Sequence, residues 1–193
     1  MRSYTEFPPL RDRIKPGVRV LFVGINPGVR SALTGHHFAG FSNRFWRLLS
    51  DSGLVPEPVT HVDDDRLPHW GLGLTNIVPR ATPGIGDLTP REFQEGARLL
   101  LRKIQRHRPA IVALVGVTVW RALLQAAGGL SHRAVRLGLQ RPADLGEPLA
   151  HALPPGTRVF VLPNPSGRNA NYTYEEMLCV YRRLSRQLGT LPR

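Results

Sequence analysis

Two asparagine–proline turns carry the side chains of this sequence that are best suited to bind a small polar group. Asn26-Pro27-Gly28 and Asn164-Pro165-Ser166-Gly167 each follow an apolar run that predicts a buried strand. A carboxamide can orient a water molecule through hydrogen bonds, but it cannot take a proton from water at neutral pH. Since ligands bind at the carboxyl ends of strands in open parallel sheets, the two turns predict one cleft at that edge.

The sequence lacks the patterns of several common catalytic sites. The first turn has neither the lysine nor the hydroxyl of a phosphate-binding loop, and there is no nucleophile elbow or His-Glu-x-x-His motif. The single cysteine, Cys179, excludes an intramolecular disulfide framework, a Cys-ligated zinc site and a four-thiolate iron–sulfur cluster. His36 and His37 are adjacent and would point apart in an extended loop. We therefore expect chemistry without a metal, a thiol or an activated serine.

The chain is strongly basic, with 26 Lys and Arg against 14 Asp and Glu and a formal net charge of +12. Nearly all of this charge is arginine, which pairs bidentately with phosphate, so a nucleic acid is the favoured partner. A GC-rich genome would also enrich arginine. No apolar run approaches the ~20 residues that span a membrane, and the N-terminus lacks the apolar segment of a signal peptide. We expect a cytoplasmic, nucleoid-associated protein.

The predicted secondary structure alternates between strands and helices. Four strands are predicted, at residues 18–24, 71–78, 109–116 and 157–162. Four helices are predicted, at residues 43–50, 90–107, 118–127 and 173–188. This alternation predicts an α/β fold, a three-layer α/β/α sandwich with a central, mostly parallel four-stranded sheet. We expect a single domain over residues 1–193, in which residues 1–16 form a loosely packed N-terminal arm.

Two stretches show no clear period. Residues 130–156 are rich in Gly, Pro and Arg and hold either short strands or a surface excursion. Residues 51–70 include the acidic triplet Asp63-Asp64-Asp65, which lacks the glycine turn that would space its oxygens around a calcium ion. We interpret the triplet as a solvated loop.

Several motifs in this order carry a resemblance to a known family. They are G-I-N-P-G, S-x-x-x-G-x-x-F-A, N-R-F-W, T-P-G-I-G-D-L-T-P-R-E-F-Q-E-G and N-P-S-G, within residues 18–188. Together they resemble the mismatch-specific uracil-DNA glycosylases, which are related to the thymine-DNA glycosylases. The resemblance implies a uracil-DNA glycosylase superfamily fold, monofunctional base excision and no cofactor, and we expect a monomer. It implies double-stranded DNA containing mispaired or damaged pyrimidines as the partner.

The resemblance also implies a pocket for a flipped pyrimidine. Phe38 matches the aromatic residue that stacks on the base, and main-chain groups of Ile25 and Phe38 would read the base edge. Gly28 would let the backbone approach the ligand closely. Ser31 stands where the family has a small residue near the pyrimidine 5-position, so we expect it to govern tolerance of 5-substituents.

Asn26 matches the family's catalytic asparagine. Because a carboxamide can only hold and orient water, the reaction should depend on departure of the base, through an oxocarbenium-like sugar cation. Asp87, in the T-P-G-I-G-D segment, is the best candidate for a carboxylate that assists the water or stabilises the cation. The alternative is a solvated turn aspartate that precedes a helix.

The segment Asn164-Pro165-Ser166-Gly167-Arg168 matches the part of the family that enters the duplex. The bacterial relatives have an apolar residue after the glycine, whereas this chain has Arg168, which can fill the gap by stacking and hydrogen bonding. Backbone groups of Gly167 and Asn169 are expected to face the orphaned base.

Two other functions are compatible with the residues alone. One is a nucleic-acid-binding α/β domain that keeps the pocket without catalysis, and the retained Asn26 argues against it. The other is a nucleotide-binding enzyme of the doubly wound type, which the absence of a phosphate-binding motif disfavours.

Overall fold

A five-stranded sheet forms the centre of the protein in the computed structural model, which describes residues 7, 9–128 and 135–190. Its strands are β1 (Val20–Gly24), β2 (Leu72–Asn76), β3 (Ile111–Val115), β4 (Gly138–Leu139) and β5 (Arg158–Leu162). They lie in the order β2-β1-β3-β5-β4. The pairs β1–β2, β1–β3 and β3–β5 are parallel, and β4 is antiparallel to β5. The parallel strands therefore all end at the same edge.

Helices cover both faces of this sheet. They are α1 (Val29–Thr34), α2 (Phe45–Asp51), α3 (Pro90–His107), α4 (Val117–Ala126), α5 (Pro142–Ala152) and α6 (Tyr174–Gly189). Val20 and Phe22 of β1 belong to a core with α2 and α6, whereas Leu21 and Val23 belong to a second core with α3 and α4. Side chains alternate along a strand, so β1 supplies both cores. The predicted three-layer α/β/α sandwich is confirmed.

The predicted strand number is wrong by one. The additional strand, β4, lies in the unpatterned stretch 130–156, of which residues 130–134 are outside the described part of the chain. It has only two residues and begins at Gly138 with φ 110°, so no period of two could reveal it. The same stretch contains α5, which is kinked at Gly146 (φ 70°) ahead of Pro148. Gly146 and Pro148 interrupt the helical period, so the sequence does not reveal this helix.

The end of the predicted N-terminal arm makes specific contacts with the domain. The N–H and carbonyl of Arg13 both bond to Leu74 of β2, so Arg13 adds an antiparallel bridge to the sheet edge. Asp12 forms an ion pair with Lys103 at 2.7 Å and accepts a hydrogen bond from Thr75. The prediction of loose packing is therefore corrected for Asp12 and Arg13. Residues 1–6 and 8 of this arm lie outside the described residues.

The acidic triplet is not a solvated loop at Asp64, which is fully buried. Its carboxylate accepts hydrogen bonds from Arg13 Nε at 3.0 Å and from the His37 N–H at 2.9 Å, and it lies 3.1 Å from His36 Nδ1. A buried carboxylate is stable when such donors satisfy it. Asp64 thus joins the N-terminal segment to the loop that precedes Phe38.

No helix in the described ranges is long and apolar enough to cross a membrane. The longest, α3, begins with the predicted capping box, in which the Thr89 hydroxyl accepts from the Glu92 N–H and the Glu92 carboxylate accepts from the Thr89 N–H. Ala97, Leu100 and Ile104 of this helix are buried against the sheet, as their spacing predicts.

Candidate functional site

A cleft of about 530 Å³ opens at the carboxyl ends of β1, β2, β3 and β5. Its lining residues are Leu10, residues 25–31, Phe38, Gly40, Ser42, Asn43, Asn76, residues 82–85, Val115, Asn164, Ser166 and Arg168. The turn that follows β1 and the turn that follows β5 both belong to this lining. The two asparagine–proline turns therefore share one cleft, as their positions at strand ends predict.

The carboxamide of Asn26 is held in one orientation. Its Nδ2 donates to the Arg80 carbonyl at 3.0 Å and to Thr82 Oγ1 at 2.8 Å, and it lies 3.2 Å from the Pro27 carbonyl. A carbonyl oxygen can only accept, so these partners identify the atom that faces them as the nitrogen. No donor among the described residues bonds to Asn26 Oδ1. The oxygen is therefore the atom that remains to accept a hydrogen bond from water or ligand.

The partners of Asn26 are fixed by a second layer of contacts. Arg80 forms a bidentate ion pair with Glu92 of α3, at 2.6 and 3.0 Å, and donates to the Asp87 carbonyl. This arginine and the Thr89 cap lower the pKa of Glu92 to about 2. Thr82 is buried, and its hydroxyl donates to the Gly84 carbonyl while accepting from Asn26. The sequence analysis did not identify Thr82 or Arg80 as site residues.

Phe38 offers an aromatic surface to the cleft from a strained backbone. Its ring lies 4.0 Å from the ring of Phe45, centroid to centroid, at an angle of 22°, and Phe45 is completely buried. The φ of Phe38 is 52°, a left-handed conformation that is uncommon for a bulky side chain. Such conformations persist where the surroundings enforce them, often at functional sites. The Phe38 N–H has no acceptor within the described residues.

The strained conformation of Phe38 is enforced from both sides of the loop. Before it, the main chain of His37 donates to Asp64 and accepts from Trp46 Nε1 at 3.0 Å. After it, the Ala39 N–H donates to the buried hydroxyl of Ser31 at 3.0 Å. Burial lowers the pKa of His37, whose Nε2 lies 3.0 Å from the Arg11 carbonyl. A neutral imidazole with its proton on Nε2 satisfies that contact.

The other predicted pocket residues also lie in the cleft. Gly28 has φ −70°, and a Cβ added there would meet no protein atom within 4 Å. Neither backbone strain nor protein packing therefore requires glycine at this position. Ile25 lines the cleft, although its carbonyl already accepts from the Val78 N–H at 2.8 Å.

Asn76, at the end of β2, is a lining residue that the sequence analysis missed. It sits against the start of the first turn, since a Cβ added at Gly24 would lie 2.5 Å from Asn76 Oδ1 and 3.2 Å from the Phe38 ring. The absence of a side chain at Gly24 allows these groups to meet. A polar residue at a strand's carboxyl end was the signal that could have found Asn76.

The second turn is held by hydrogen bonds within the turn and by a clamp from Arg44. Asn164 Oδ1 accepts from the Ser166 N–H at 3.0 Å, and Asn169 Nδ2 donates to the Asn164 carbonyl at 2.7 Å. Arg44, in the N-R-F-W motif, donates to the carbonyls of Ser166 and Asn169, at 3.1 Å each. Pro165 is buried at the base of the turn, where its carbonyl accepts from the Arg44 N–H. This clamp places Gly167 and Arg168 at an exposed tip.

The tip of the second turn closes onto the opposite wall of the cleft. A Cβ at Gly167 would lie 2.4 Å from the Ser42 side chain, so the turn packs directly on the loop after Phe38. Arg168 extends across the opening and donates from Nη1 to the Pro83 carbonyl at 3.1 Å. Arg168 therefore bridges the turn after β5 and the loop that holds Asn26.

Asp87 lies beside the cleft and is not one of its lining residues. Its Oδ2 accepts from the Gly84 N–H at 3.0 Å and caps a short 3₁₀ turn, Ile85–Asp87, in an exposed position. In the described lining, the only charged side chains are those of Arg30 and Arg168. Among the described residues no cluster of His, Cys, Asp and Glu could hold a metal ion. The described lining of the cleft thus offers amides, hydroxyls, an aromatic ring and two cations.

By fold and cleft, the protein is a three-layer α/β domain with a hydrogen-bonding site at the carboxyl edge of its parallel strands and a basic rim. Comparison with protein families finds that the Uracil DNA glycosylase superfamily matches residues 11–185. The chain belongs to this superfamily, whose members are N-glycosyl hydrolases that act on DNA. Membership indicates a uracil DNA glycosylase type of function, with DNA as the partner.

Proposed function

We propose that the protein is a monofunctional DNA glycosylase of the mismatch-specific branch of this superfamily. It flips a mispaired uracil, or a related modified pyrimidine, out of duplex DNA and hydrolyses the N-glycosidic bond, which starts base-excision repair. The observation that carries this proposal is the fixed carboxamide of Asn26, whose Nδ2 is bound by Arg80 and Thr82 and whose Oδ1 is left to accept from water.

In the proposed reaction, the flipped base stacks on the cleft side of Phe38, because Phe45 covers the ring on its other side. An enzyme that acts on a base must take it out of the helical stack. The unpaired N–H of Phe38 and the main chain of Ile25 read the base edge, and the bare backbone of Gly28 lets the ligand approach. Ser31 limits the space at the pyrimidine 5-position.

The chemical step follows from what Asn26 can and cannot do. The C1′–N1 bond breaks with its electron pair leaving on the base, which gives a sugar cation and a pyrimidine anion. The water held by Asn26 Oδ1 then bonds to C1′, one of its protons stays on the new hydroxyl, and the other leaves to solvent or to the base anion. Because the carboxamide takes no proton, the rate depends on how easily the base departs.

Asp87 is proposed to assist this step through its charge. Its carboxylate holds the N–H of Gly84, and Gly84 lines the cleft beside Thr82. A negative charge near the sugar stabilises the developing cation, and because Asp87 is exposed, screening by solvent limits this effect.

The second turn is proposed to enter the duplex. Gly167 and Arg168 form its exposed tip, and the clamp by Arg44 holds the base of the turn. Arg168 would leave the Pro83 carbonyl and fill the space vacated by the flipped base. The main chain of Gly167 and Asn169 would face the orphaned partner base.

A single-turnover excision assay tests the proposal. Duplexes with uracil opposite guanine, uracil opposite adenine and thymine opposite guanine are compared, and strand cleavage at abasic sites is the readout. We expect fastest release for uracil opposite guanine and loss of release in Asn26→Ala with DNA binding retained. Binding without release by the wild-type protein would support a non-enzymatic nucleic-acid-binding domain. Equal rates opposite guanine and adenine would contradict the mismatch-specific branch.

A further inference from the structure

Arg30 and Phe41 form a stacked pair at the mouth of the cleft. Phe41 is 90% exposed, the highest value among the large exposed hydrophobic residues that the structure describes. Arg30 covers one face of this ring, with its Cζ 3.5 Å from the ring centroid. Because stacking occupies only one face, the other face of Phe41 is open to solvent. A single exposed hydrophobic residue is common on a protein surface, but Phe41 differs because it carries a stacked arginine and lines a cleft beside the candidate site.

The charge of Arg30 is ordered without being neutralised. Its guanidinium makes no ion pair or hydrogen bond within the described part of the chain, and its Nε is buried without a partner. Arg44 and Arg80, in contrast, are bound by carbonyls or a carboxylate. A cation stacked on an aromatic ring keeps its in-plane N–H donors available. Arg30 is therefore set to receive an anionic oxygen.

The pair joins the base-binding cleft to a second cleft of about 480 Å³, here called the Phe41 cleft. Arg30, Phe38, Gly40 and Asn43 line both clefts, whereas Phe41 lines only the second. The two clefts are thus adjacent, with Arg30 at the boundary. Successive nucleotides of a strand are joined by a phosphodiester, so a base in each cleft would place a phosphate near this boundary.

The charges in the Phe41 cleft agree with a nucleic-acid strand. Arg47 stacks on Tyr174 at 4.4 Å and is mostly exposed. The one carboxylate in the described lining, Asp51, is already bound by the Tyr174 hydroxyl at 2.6 Å and by Arg47 at 3.4 Å. The net charge that meets a ligand is therefore positive.

We propose that the Phe41 cleft binds the nucleotide next to the target base in the same strand. Arg30 binds the phosphodiester between the two nucleotides, and the open face of Phe41 packs against the neighbouring base. This inference rests on the proposed glycosylase function, because it uses the flipped base to set the register. Stacking on an aromatic face accepts any base, so the contact strengthens binding without adding sequence preference.

The test is a pair of thermodynamic cycles. Each cycle compares the affinities of wild-type and variant proteins for uracil-containing duplexes under single-turnover conditions. In the first, the phosphate on either side of the target is replaced by a neutral methylphosphonate. We expect roughly tenfold weaker binding at one of the two positions for the wild-type protein, and no further loss for Arg30→Ala, which is already weakened on normal DNA. In the second, the neighbouring nucleotide on that side lacks its base. Phe41→Ala should then bind intact DNA roughly tenfold more weakly than the wild type, and it should bind this substrate as tightly as the wild type.

Matched controls separate this contact from charge and fold. Arg98→Ala removes an exposed arginine on α3, outside the cleft, and Leu99→Ala removes an exposed apolar residue beside it. Both should respond to the modified DNA as the wild type does. If Arg30→Ala unfolds at a lower temperature than the wild type, Arg30→Gln replaces it in the first cycle. If the loss from Arg30→Ala and the loss from the methylphosphonate multiply at both flanking positions, the proposal for Arg30 is overturned. If Phe41→Ala binds intact DNA as tightly as the wild type, the proposal for the ring is overturned. If the wild-type protein releases no uracil from unmodified duplex, the glycosylase function itself is refuted. The two cycles measure binding and not release, so failure of this inference and failure of the glycosylase function are distinguishable.

Discussion

Asn26 Nδ2 donates a 2.8 Å hydrogen bond to Thr82 Oγ1, and this contact decides which atom of the carboxamide remains free in the cleft. Thr82 is fixed in turn, because its hydroxyl donates to the Gly84 carbonyl and its N–H donates to the Pro27 carbonyl. The loop that bears Thr82 is tied to α3 by the Arg80–Glu92 ion pair. The orientation of the Asn26 amide is thus set by Thr82 on the wall of the cleft and by the Arg80–Glu92 ion pair behind it.

Replacing Thr82 with valine should slow excision because the side chain keeps its shape and loses the hydroxyl that orients Asn26. We expect the single-turnover rate to fall about tenfold to a hundredfold, the equivalent of the ~1–3 kcal/mol lost with a buried hydrogen-bond partner. Thr82→Ser keeps the hydroxyl and should retain most of the rate. If Thr82→Val binds DNA normally and excises at the wild-type rate, the hydroxyl does not position Asn26.

Replacing Asp87 with asparagine isolates the charge of this residue. The amide oxygen of asparagine can still accept from the Gly84 N–H, so the 3₁₀ turn is preserved. We expect the single-turnover rate to fall roughly tenfold, since a developing cation loses a nearby negative charge. The thermal midpoint serves as the control and should not change. An unchanged rate would restrict Asp87 to capping the turn.

The glycines of the first turn should separate protein packing from ligand space. Gly24→Ala forces a Cβ to within 2.5 Å of Asn76 Oδ1, so we expect a loss of about 1–3 kcal/mol in the free energy of unfolding. Gly28→Ala meets no protein atom and has a compatible φ, but Gly28 is the N-cap of α1, where alanine is less favourable than glycine. This loss opposes the ~0.4–1 kcal/mol gained from the less flexible unfolded chain, so the free energy of unfolding should stay within about 1 kcal/mol of the wild-type value.

Excision separates the two variants further. Gly28→Ala should be slow despite its stability, because the new methyl occupies the space proposed for the ligand. Denaturant unfolding together with single-turnover rates checks both expectations. A fully active Gly28→Ala would show that no ligand approaches this backbone closely.

The sequence predicts the parts of the site that depend on local patterns. Asn26 and Asn164 were found because each follows an apolar strand, and the position of a strand end is visible in the chain itself. The supporting contacts were missed because their partners are distant in sequence. Arg44 bonds to Ser166, 122 residues away, and Asn26 bonds to Thr82, 56 residues away. Only the sheet order brings these residues together.

Burial misled the sequence analysis where it depends on tertiary structure. Asp64 lies in a triplet of carboxylates, so local composition predicts an exposed side chain. In the structure, Arg13 and the loop of His36 and His37 enclose it. Strand β4 was missed for a different reason. A two-residue strand such as β4 shows no alternation, and it exists only because β5 offers an edge to pair with.

Replacing Arg168 with alanine should weaken excision from duplex DNA more than from single strands. The arginine would occupy the space of the flipped base, and a single strand has no stack to fill. The free protein also loses the hydrogen bond to the Pro83 carbonyl, which opens the cleft. We expect the ratio of duplex to single-strand rates to fall at least severalfold. Arg98→Ala is the charge-matched control, and an equal loss on both substrates would argue against insertion into the duplex.

The buried His37 should make the protein less stable as the pH falls below about 6.5. Burial lowers the pKa of His37 in the folded state, although the hydrogen bond to the Arg11 carbonyl and the charges of Asp64 and Asp12 raise it in part and Arg13 lowers it further. Below the unfolded value of about 6.5 the unfolded chain therefore binds more protons than the folded protein, so the free energy of unfolding increases with pH up to that value and then levels off. One proton contributes at most ~1.4 kcal/mol per pH unit.

The measurement is urea unfolding between pH 5 and 7.5, above the range in which Glu92, with its pKa of about 2, takes up protons. His37→Gln can still donate to the Arg11 carbonyl but cannot titrate, so its stability should change less over this range. His151→Gln, on the exposed surface of α5, should keep the wild-type slope. Equal slopes for His37→Gln and the wild type would mean that His37 is not the group that couples folding to pH.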